Sequence, residues 1–448
     1  MSRRSTPALW LPTIWLLVSA SRPVGRWLDG GGPGDPSGSV LDQLVLGVLI
    51  SAAVIVLCRR RAPLSSIVQG NAWLLVLFAY LAISIVWSEI PFVSLKRWVR
   101  ACGDPLMALV VLTELSPLYA METVLYRCAY ILVPVSAALI KYVPALGRTY
   151  GRWSGEEMWT GVATHKSSLG PLCAVAAIFL TWSLLRRWRA GTLGRHPLRT
   201  ACDLIVLAVA LTLLRGPAVY FSATSLGMFF VSLGALLSLS MYRSLRAVVA
   251  RHLIPMVLSL CLVCVISYDW LIDISSSMAG RDETLTGRTE MWHALINFAS
   301  QNPLLGVGYG GFWAPGNREL EEIFTSQFIL AQSHNGYLAT YVETGLLGVM
   351  LLSFFLLGYC RQLTHQMRRN PDWALFGLCV LLMSLMYNYT ESGFLQAGTL
   401  LWSVLIFMTV VLSWSSRHAL IEHSRVHTLG GITAGSARLV QRRGRGER

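Results

Sequence analysis

Between Gly287 and Gly348 an otherwise apolar chain turns polar, and this stretch gathers Arg288, His334 and Glu343 among glycines and aromatic residues. It reads GRTEMW at 287–292, NPLLGVGYGGFW at 302–313 and SHNGYLATYVETGLLG at 333–348. A guanidinium can grip a pyrophosphate with two parallel hydrogen bonds. A neutral imidazole at a membrane edge can take a proton as a general base. These residue types, flanked by long apolar runs, describe a reactive pocket at a membrane surface whose ligand carries negative charge and sugar.

Arg288 precedes Trp292 by four residues, so the two share a helix face. The Gly-Arg start puts the guanidinium near a helix N-terminus, where the backbone also favours anions. The alternative is a surface Arg paired with Glu290 or Glu283. Ser333 and Asn335 flank His334 and can orient it; the alternative is a helix-capping or interfacial histidine. Glu343 lies further along the same run, about two to three helical turns from His334, too far for direct contact along one helix. GVGYGG at 306–311 fits G-x-G-x-x-G, but a dinucleotide site needs a strand before it and a helix after it. Neither is visible, so the segment reads as a flexible turn lining the pocket, with Tyr309 a candidate substrate contact.

Other candidates lie outside this stretch. THKSSLG at 164–170 opens an apolar run, and its His165 and Lys166 can meet a phosphate or a sugar hydroxyl, or simply anchor the run at the interface. Glu391 in NYTESGF can bind sugar hydroxyls or form a structural ion pair. Arg97 and Arg215 complete the candidate substrate contacts. The chain has no D-x-D, no G-x-x-x-x-G-K-[ST], no G-x-S-x-G and no zinc-like Cys/His spacing. No metal or cofactor is expected, and the donor is expected to arrive already activated by a phosphate leaving group.

The elements that must position these groups are membrane helices. Of 448 residues 54% are hydrophobic and 13% charged, against about 25% charged in soluble domains. Apolar runs long enough to span a bilayer number about twelve, centred near Ile14, Leu49, Leu77, Leu109, Leu132, Ala176, Leu207, Phe230, Leu260, Ser353, Val380 and Ile406. Those around Leu109 and Leu207 are the weakest. The fold class is therefore all-α and polytopic, with residues 1–415 as one membrane domain, a long outer loop at 271–334, and a basic tail at 416–448 whose composition predicts disorder. No cleavage site follows Leu9–Ala20 cleanly, so no signal peptide is expected.

The net charge of +14 is topogenic and does not signal nucleic acid. Basic residues cluster in alternate loops, at 59–61, 186–199, 243–251 and 361–369, and in the tail. The positive-inside rule places these loops and both termini in the cytoplasm. The opposite side should be poor in cations, yet it holds Lys96, Arg97, Arg148, Arg152, Lys166, Arg215, Arg281, Arg288 and Arg318. Some can snorkel to headgroups, but a gathering of cations there points to an anionic ligand. The nine cysteines lie in or beside apolar runs and read as packing residues, including Cys261 and Cys264 of a C-x-x-C.

On these segments, together with WSEIPFVSLKR at 87–97, GVATHKSSLG at 161–170, FSATSLG at 221–227 and NYTESGF at 388–394, the chain resembles the O-antigen ligase and Wzy-type polysaccharide polymerase family. The likeness is greatest to the exopolysaccharide polymerase branch. The resemblance implies a metal-independent, inverting membrane glycosyltransferase of the bacterial inner membrane. Its site would face the periplasm and use glycans carried on undecaprenyl diphosphate. It implies that His334 is the base that deprotonates the acceptor glycan's hydroxyl and that Arg288 stabilises the diphosphate. The family often has a second Arg in a Ser-Arg-Gly/Thr setting. Here that stretch is FSATSLG, and Arg215 is the nearest substitute. Ser/Thr-rich versions of this stretch accompany polymerase-like members, which favours a polymerase over a ligase. Expected partners are the lipid-linked donor, the glycan acceptor and membrane lipids, with a chain-length regulator or flippase beside them. A transporter of lipid-linked glycan is the rival class; it calls for paired half-chains and interrupted midplane helices, whereas here the polar residues concentrate at one face and in one long loop, which favours an enzyme.

Overall fold

The computed structural model describes residues 5–28, 39–61, 70–151, 155–217, 222–266, 282–314, 316–323 and 332–414. Arg152, Arg281, nearly all of the glycine-rich Asp29–Ser39 segment and the 416–448 tail lie outside the described residues, as do the side chains of Glu283, Glu290, Cys261 and Cys264.

The chain is an all-α polytopic membrane protein. Its main helices are α1 (Trp10–Ala20), α2 (Val40–Arg59), α3 (Ala72–Ser84), α4 (Pro91–Leu112), α5 (Pro117–Tyr142), α6 (Lys166–Arg189), α7 (Pro197–Arg215), α8 (Ala223–Met241), α9 (Arg243–Ile266), α10 (Asp282–Ala299), α11 (Gly336–Arg369) and α12 (Pro371–Thr390), followed by α13 (Leu400–Trp414). Between α5 and α6, β1 (Arg148–Tyr150) pairs antiparallel with β2 (Glu157–Trp159). Proline opens α4, α5, α7 and α12, where its fixed φ suits the first turn and its missing N–H costs nothing.

All twelve predicted centres lie on helices. Seven helices, α2, α5, α6, α7, α8, α11 and α12, are long and apolar enough to cross a membrane, and α1, α3 and α13 belong to shorter apolar helices. The weak run around Leu207 is thus among the seven. That around Leu109 is not, because α4 carries Lys96, Arg97, Arg100 and Asp104. The stretch from Ser88 to Arg100 is helical from Pro91 onward.

Burial divides the helices into centre and rim. The apolar windows of α6 and α12 are each 78% buried, that of α2 only 22%. Phe179 and Trp182 of α6 pack on Trp373 and Phe376 of α12, while Leu44, Val48, Ile55 and Phe230 stay exposed on outer helices, as lipid-facing side chains do.

Polar contacts collect at the two ends of the bundle. At one end Arg60 pairs with Glu114 at 2.9 Å, Arg186 with Glu122 at 2.5 Å, Arg187 with Asp203, and Asn71 with Ser413 at 2.9 Å. These groups come from the loops that positive charge marks as one side. At the other end Arg22 donates to the carbonyls of Leu146, Gly161 and Ala163, and the candidate chemistry gathers nearby.

One helix is broken. Gly345 in α11 has φ +61° and ψ −169°. The carbonyls freed before the break accept from the loop that follows α10: Val307 N–H donates to Val342 O at 3.1 Å and Gly308 N–H to Glu343 O at 2.8 Å. The amides freed after it, of Leu346 and Leu347, donate to Pro303 O and Leu304 O at 2.8 and 3.1 Å. Tyr80 closes the joint by donating to Thr344 O at 2.7 Å. The glycine-rich segment is therefore a plug that satisfies broken backbone inside the bundle, in place of the flexible turn its composition suggests.

Candidate active site

The starts of α6, α8 and α11 meet the end of α12, with α10 laid over them. Local chemistry sets each terminus. Asn335 caps α11, its Oδ1 accepting from Tyr337 and Leu338 N–H at 3.0 Å each, a strongly preferred N-cap arrangement. His165 caps α6, its Nδ1 accepting from Ser167 N–H at 3.3 Å. Gly170 lets α6 approach α8, since a Cβ there would lie 2.2 Å from Ser225 Oγ. Thr224 at the start of α8 and Thr390 at the end of α12 share a hydroxyl hydrogen bond of 2.6 Å. Gly336 N–H donates to Glu391 O at 3.1 Å, joining the start of α11 to the end of α12.

At this junction His334 Nδ1 lies 3.0 Å from Glu391 Oε2. His334 adopts φ +53°, a left-handed conformation uncommon outside glycine that marks over-determined, often functional positions. Its imidazole keeps some exposure, 24%, while Glu391 keeps 11%, so the ring is the member of the pair that a substrate can reach. Gln332 Nε2 completes the cluster at 3.5 Å from the same carboxylate oxygen. Burial pushes Glu391 up, but the His334 hydrogen bond and charge, Arg288 and Ser167 outweigh it, and the carboxyl sits below its usual range. The carboxylate's contribution is therefore present above the ordinary carboxylate pKa and is lost as pH falls through the lower folded value.

Arg288 reaches this site from α10, donating to Thr390 O at 3.4 Å. The helix starts at Asp282, so Arg288 lies in its second turn and not at the N-terminus that the Gly-Arg pair suggests. Burial lowers the Arg288 pKa and Glu391 opposes that. Trp292, on the same face, donates from Nε1 to Ser333 O at 2.7 Å and so fixes the residue before His334. Ser333 Oγ in turn contacts Ser392 Oγ at 3.1 Å. Burial also pushes the His165 imidazole down, reinforced by Lys166, His334 and Arg288 and opposed by Glu391. His334, Arg288, His165, Lys166, Asn335, Trp292 and Glu391 are thus one constellation. Among the described residues no three His, Cys, Asp or Glu side chains cluster as metal ligands.

Four other candidates lie elsewhere. Arg97 donates to Gly310 O at 2.8 Å and holds the plug. Glu343 is buried beside the break, within the field of Arg97. Tyr309 is buried and donates its hydroxyl to Leu395 O at 2.7 Å. Arg215 is exposed at the end of α7. Thr224, Thr390, Ser167 and Gln332 are site residues that single-residue reading passes over. The first three lie inside the segments FSATSLG, NYTESGF and GVATHKSSLG, so their only signal is membership of a polar stretch at a helix end.

Residues 204–353 match a family described as O-antigen ligase, a segment from α7 to the middle of α11 that includes Arg288 and His334 and stops before Glu391. The chain is also 26% identical over 326 residues to the exopolysaccharide production protein ExoQ of Rhizobium meliloti (strain 1021), covering 69% of this chain and 70% of that protein. These likenesses support a place for the chain in the O-antigen ligase and Wzy-type exopolysaccharide family.

Proposed function

We propose that this protein is a glycosyltransferase that joins oligosaccharide units carried on a lipid diphosphate into an exopolysaccharide. The observation that carries this reading is the His334–Glu391 pair with Arg288 beside it, set at one end of a membrane bundle. Glu391 accepts the Nδ1 proton of His334, which leaves Nε2 as the proton acceptor. An acceptor sugar hydroxyl attacks the anomeric carbon of the donor from the face opposite the diphosphate. The new glycosidic bond forms as the bond from carbon to phosphate oxygen breaks. The hydroxyl proton passes to Nε2, and the electron pair leaves on the diphosphate. Arg288 and Lys166 offset the charge that grows there, and the start of α6 adds its partial positive charge.

A lipid donor needs an apolar path beside a polar site. Between α5 and α7 a groove of about 450 Å³ carries Lys141 and Arg148 among Ala137, Ile140, Val209 and Leu213, at the same end of the bundle as His334. In this reading the donor lipid is undecaprenyl diphosphate, the membrane is the bacterial inner membrane, both termini are cytoplasmic and the site is periplasmic. The second reading, transfer of a finished glycan to a lipid A core, draws on the family description itself. The likeness to an exopolysaccharide production protein favours the polymerase.

The test uses the full chain in detergent or vesicles with a polyprenyl-diphosphate-linked repeat unit. A polymerase yields a ladder of longer lipid-linked products from that substrate alone, whereas a ligase yields product only when a separate acceptor is added. His334→Ala should cost about 10²–10⁴ in rate. Unchanged transfer by that variant rules out the imidazole as base.

A further inference from the structure

Glu391 belongs to a tight reversal between α12 and α13, and that reversal is not relaxed. Leu395 has φ +59°, a conformation costly for any residue with a branched side chain and kept only where the surroundings impose it. Three groups impose it here. Asn388 Oδ1 accepts from Gly393 and Phe394 N–H at 2.8 and 2.7 Å. Thr399 Oγ1 donates to Gly393 O at 3.1 Å. Tyr309 Oη donates to Leu395 O, the carbonyl of the strained residue itself, at 2.7 Å.

Tyr309 is the member of this set that comes from outside the reversal and its own helix. It stands in the plug, between Gly308 at φ +95° and Gly310 at φ +72°. Its backbone N–H donates to Ser84 Oγ at 3.2 Å, and Ser84 is itself tied to Leu81 O at 2.8 Å. A Cβ on Gly308 would lie 2.8 Å from Ser84 O and 2.7 Å from Ser88 Cα, so the plug is wedged against the end of α3 and the turn after it. The ring is 3% exposed, which removes it from direct contact with a soluble sugar. What it touches is the loop that carries the carboxylate partner of His334.

We infer that Tyr309 is a positioning residue: its hydroxyl fastens the strained Leu395 turn to the plug and so holds Glu391 in register with His334. This inference rests on the proposed reaction for its kinetic consequence, but its geometric part stands apart from that reaction. Small displacements of a catalytic group lower rate by up to about a hundredfold without altering what the substrate touches, so the effect belongs in kcat and not in KM.

The experiment compares the full-length wild-type chain with Tyr309→Phe, which keeps the ring and deletes one hydroxyl, and with Glu391→Gln and the double variant. Amide hydrogen exchange across 391–399 should speed up in Tyr309→Phe, with thermal unfolding in detergent little changed. With lipid-linked donor, kcat should fall about tenfold or more while KM stays within about twofold. The double variant should be no slower than Glu391→Gln alone, because both changes act on one pair. Unaltered exchange in 391–399 overturns the clamp whether or not the chain transfers glycan. Faster exchange with wild-type kcat, or losses that simply add in the double variant, overturns the link to Glu391 and leaves the transfer reaction standing. A wild-type chain that transfers nothing while Tyr309→Phe loosens the turn removes the proposed function and keeps the clamp.

Discussion

At the scale of single residues, the site depends on few groups, each with a definite partner. Arg288 is the clearest test. Among the described residues it makes one long hydrogen bond, to a carbonyl, and it sits on α10, outside the seven long apolar helices, so its removal should leave insertion intact. Arg288→Ala should lower transfer about 10²–10³-fold, and Arg288→Lys should recover only part of that, because an ammonium lacks the planar fork. Initial rates with lipid-linked donor, beside size-exclusion profiles in detergent, check both; near-normal rates in the alanine variant exclude a role at the leaving group. Arg288 and His334 were singled out by residue type and by the resemblance. The pairing of His334 with Glu391 was not, because the two lie 57 positions apart and no spacing rule links residues brought together by different helices. Tyr309 misled in the other direction: an aromatic residue in a glycine-rich stretch reads as a ligand contact, whereas its partner is a backbone carbonyl.

At the scale of elements, the break in α11 is the least readable feature. TGLLG at 344–348 continues an apolar helical pattern, and nothing local announces that Gly345 leaves the helix. The partner strand of backbone comes from 303–308, a different part of the chain, so only tertiary contact reveals it. Two glycines make that contact possible. Gly306 has φ +67°, and a Cβ on it would lie 2.6 Å from backbone atoms of Glu343, Thr344 and Gly345; one on Gly345 would lie 2.3 Å from Leu304 O. Gly306→Ala should therefore destabilise the protein by about 2 kcal/mol or more, read as a lowered unfolding midpoint in detergent. A control such as Gly234→Ala, where a Cβ meets nothing within 4 Å, should be neutral to slightly stabilising. An unchanged midpoint for Gly306→Ala would mean that the plug does not seat against the break.

At the scale of the whole molecule, the helices were readable because a bilayer demands apolar runs of a set length. Number was less readable. Charged α4 and basic-ended α9 are helices, yet neither is among the helices that satisfy the length and hydropathy criterion. Two-sidedness makes a simple prediction. Leu115 is 96% exposed at the end that carries Arg60 and Glu114, and Gln301 is exposed at the other end, beside the plug. In a cysteine-free background, Leu115→Cys and Gln301→Cys should react with an impermeant thiol reagent from opposite faces of sealed vesicles. Labelling of both from one face would dismantle the arrangement. The joining of residues so distant in the chain also sets a timetable for biosynthesis. Glu391 follows α12 and the clamp on it closes only with Thr399, so a nascent chain has its guanidinium and imidazole threaded long before the carboxylate emerges. In the proposed reaction, a truncated translation product ending ahead of that point lacks the carboxylate partner of His334 and should transfer no glycan.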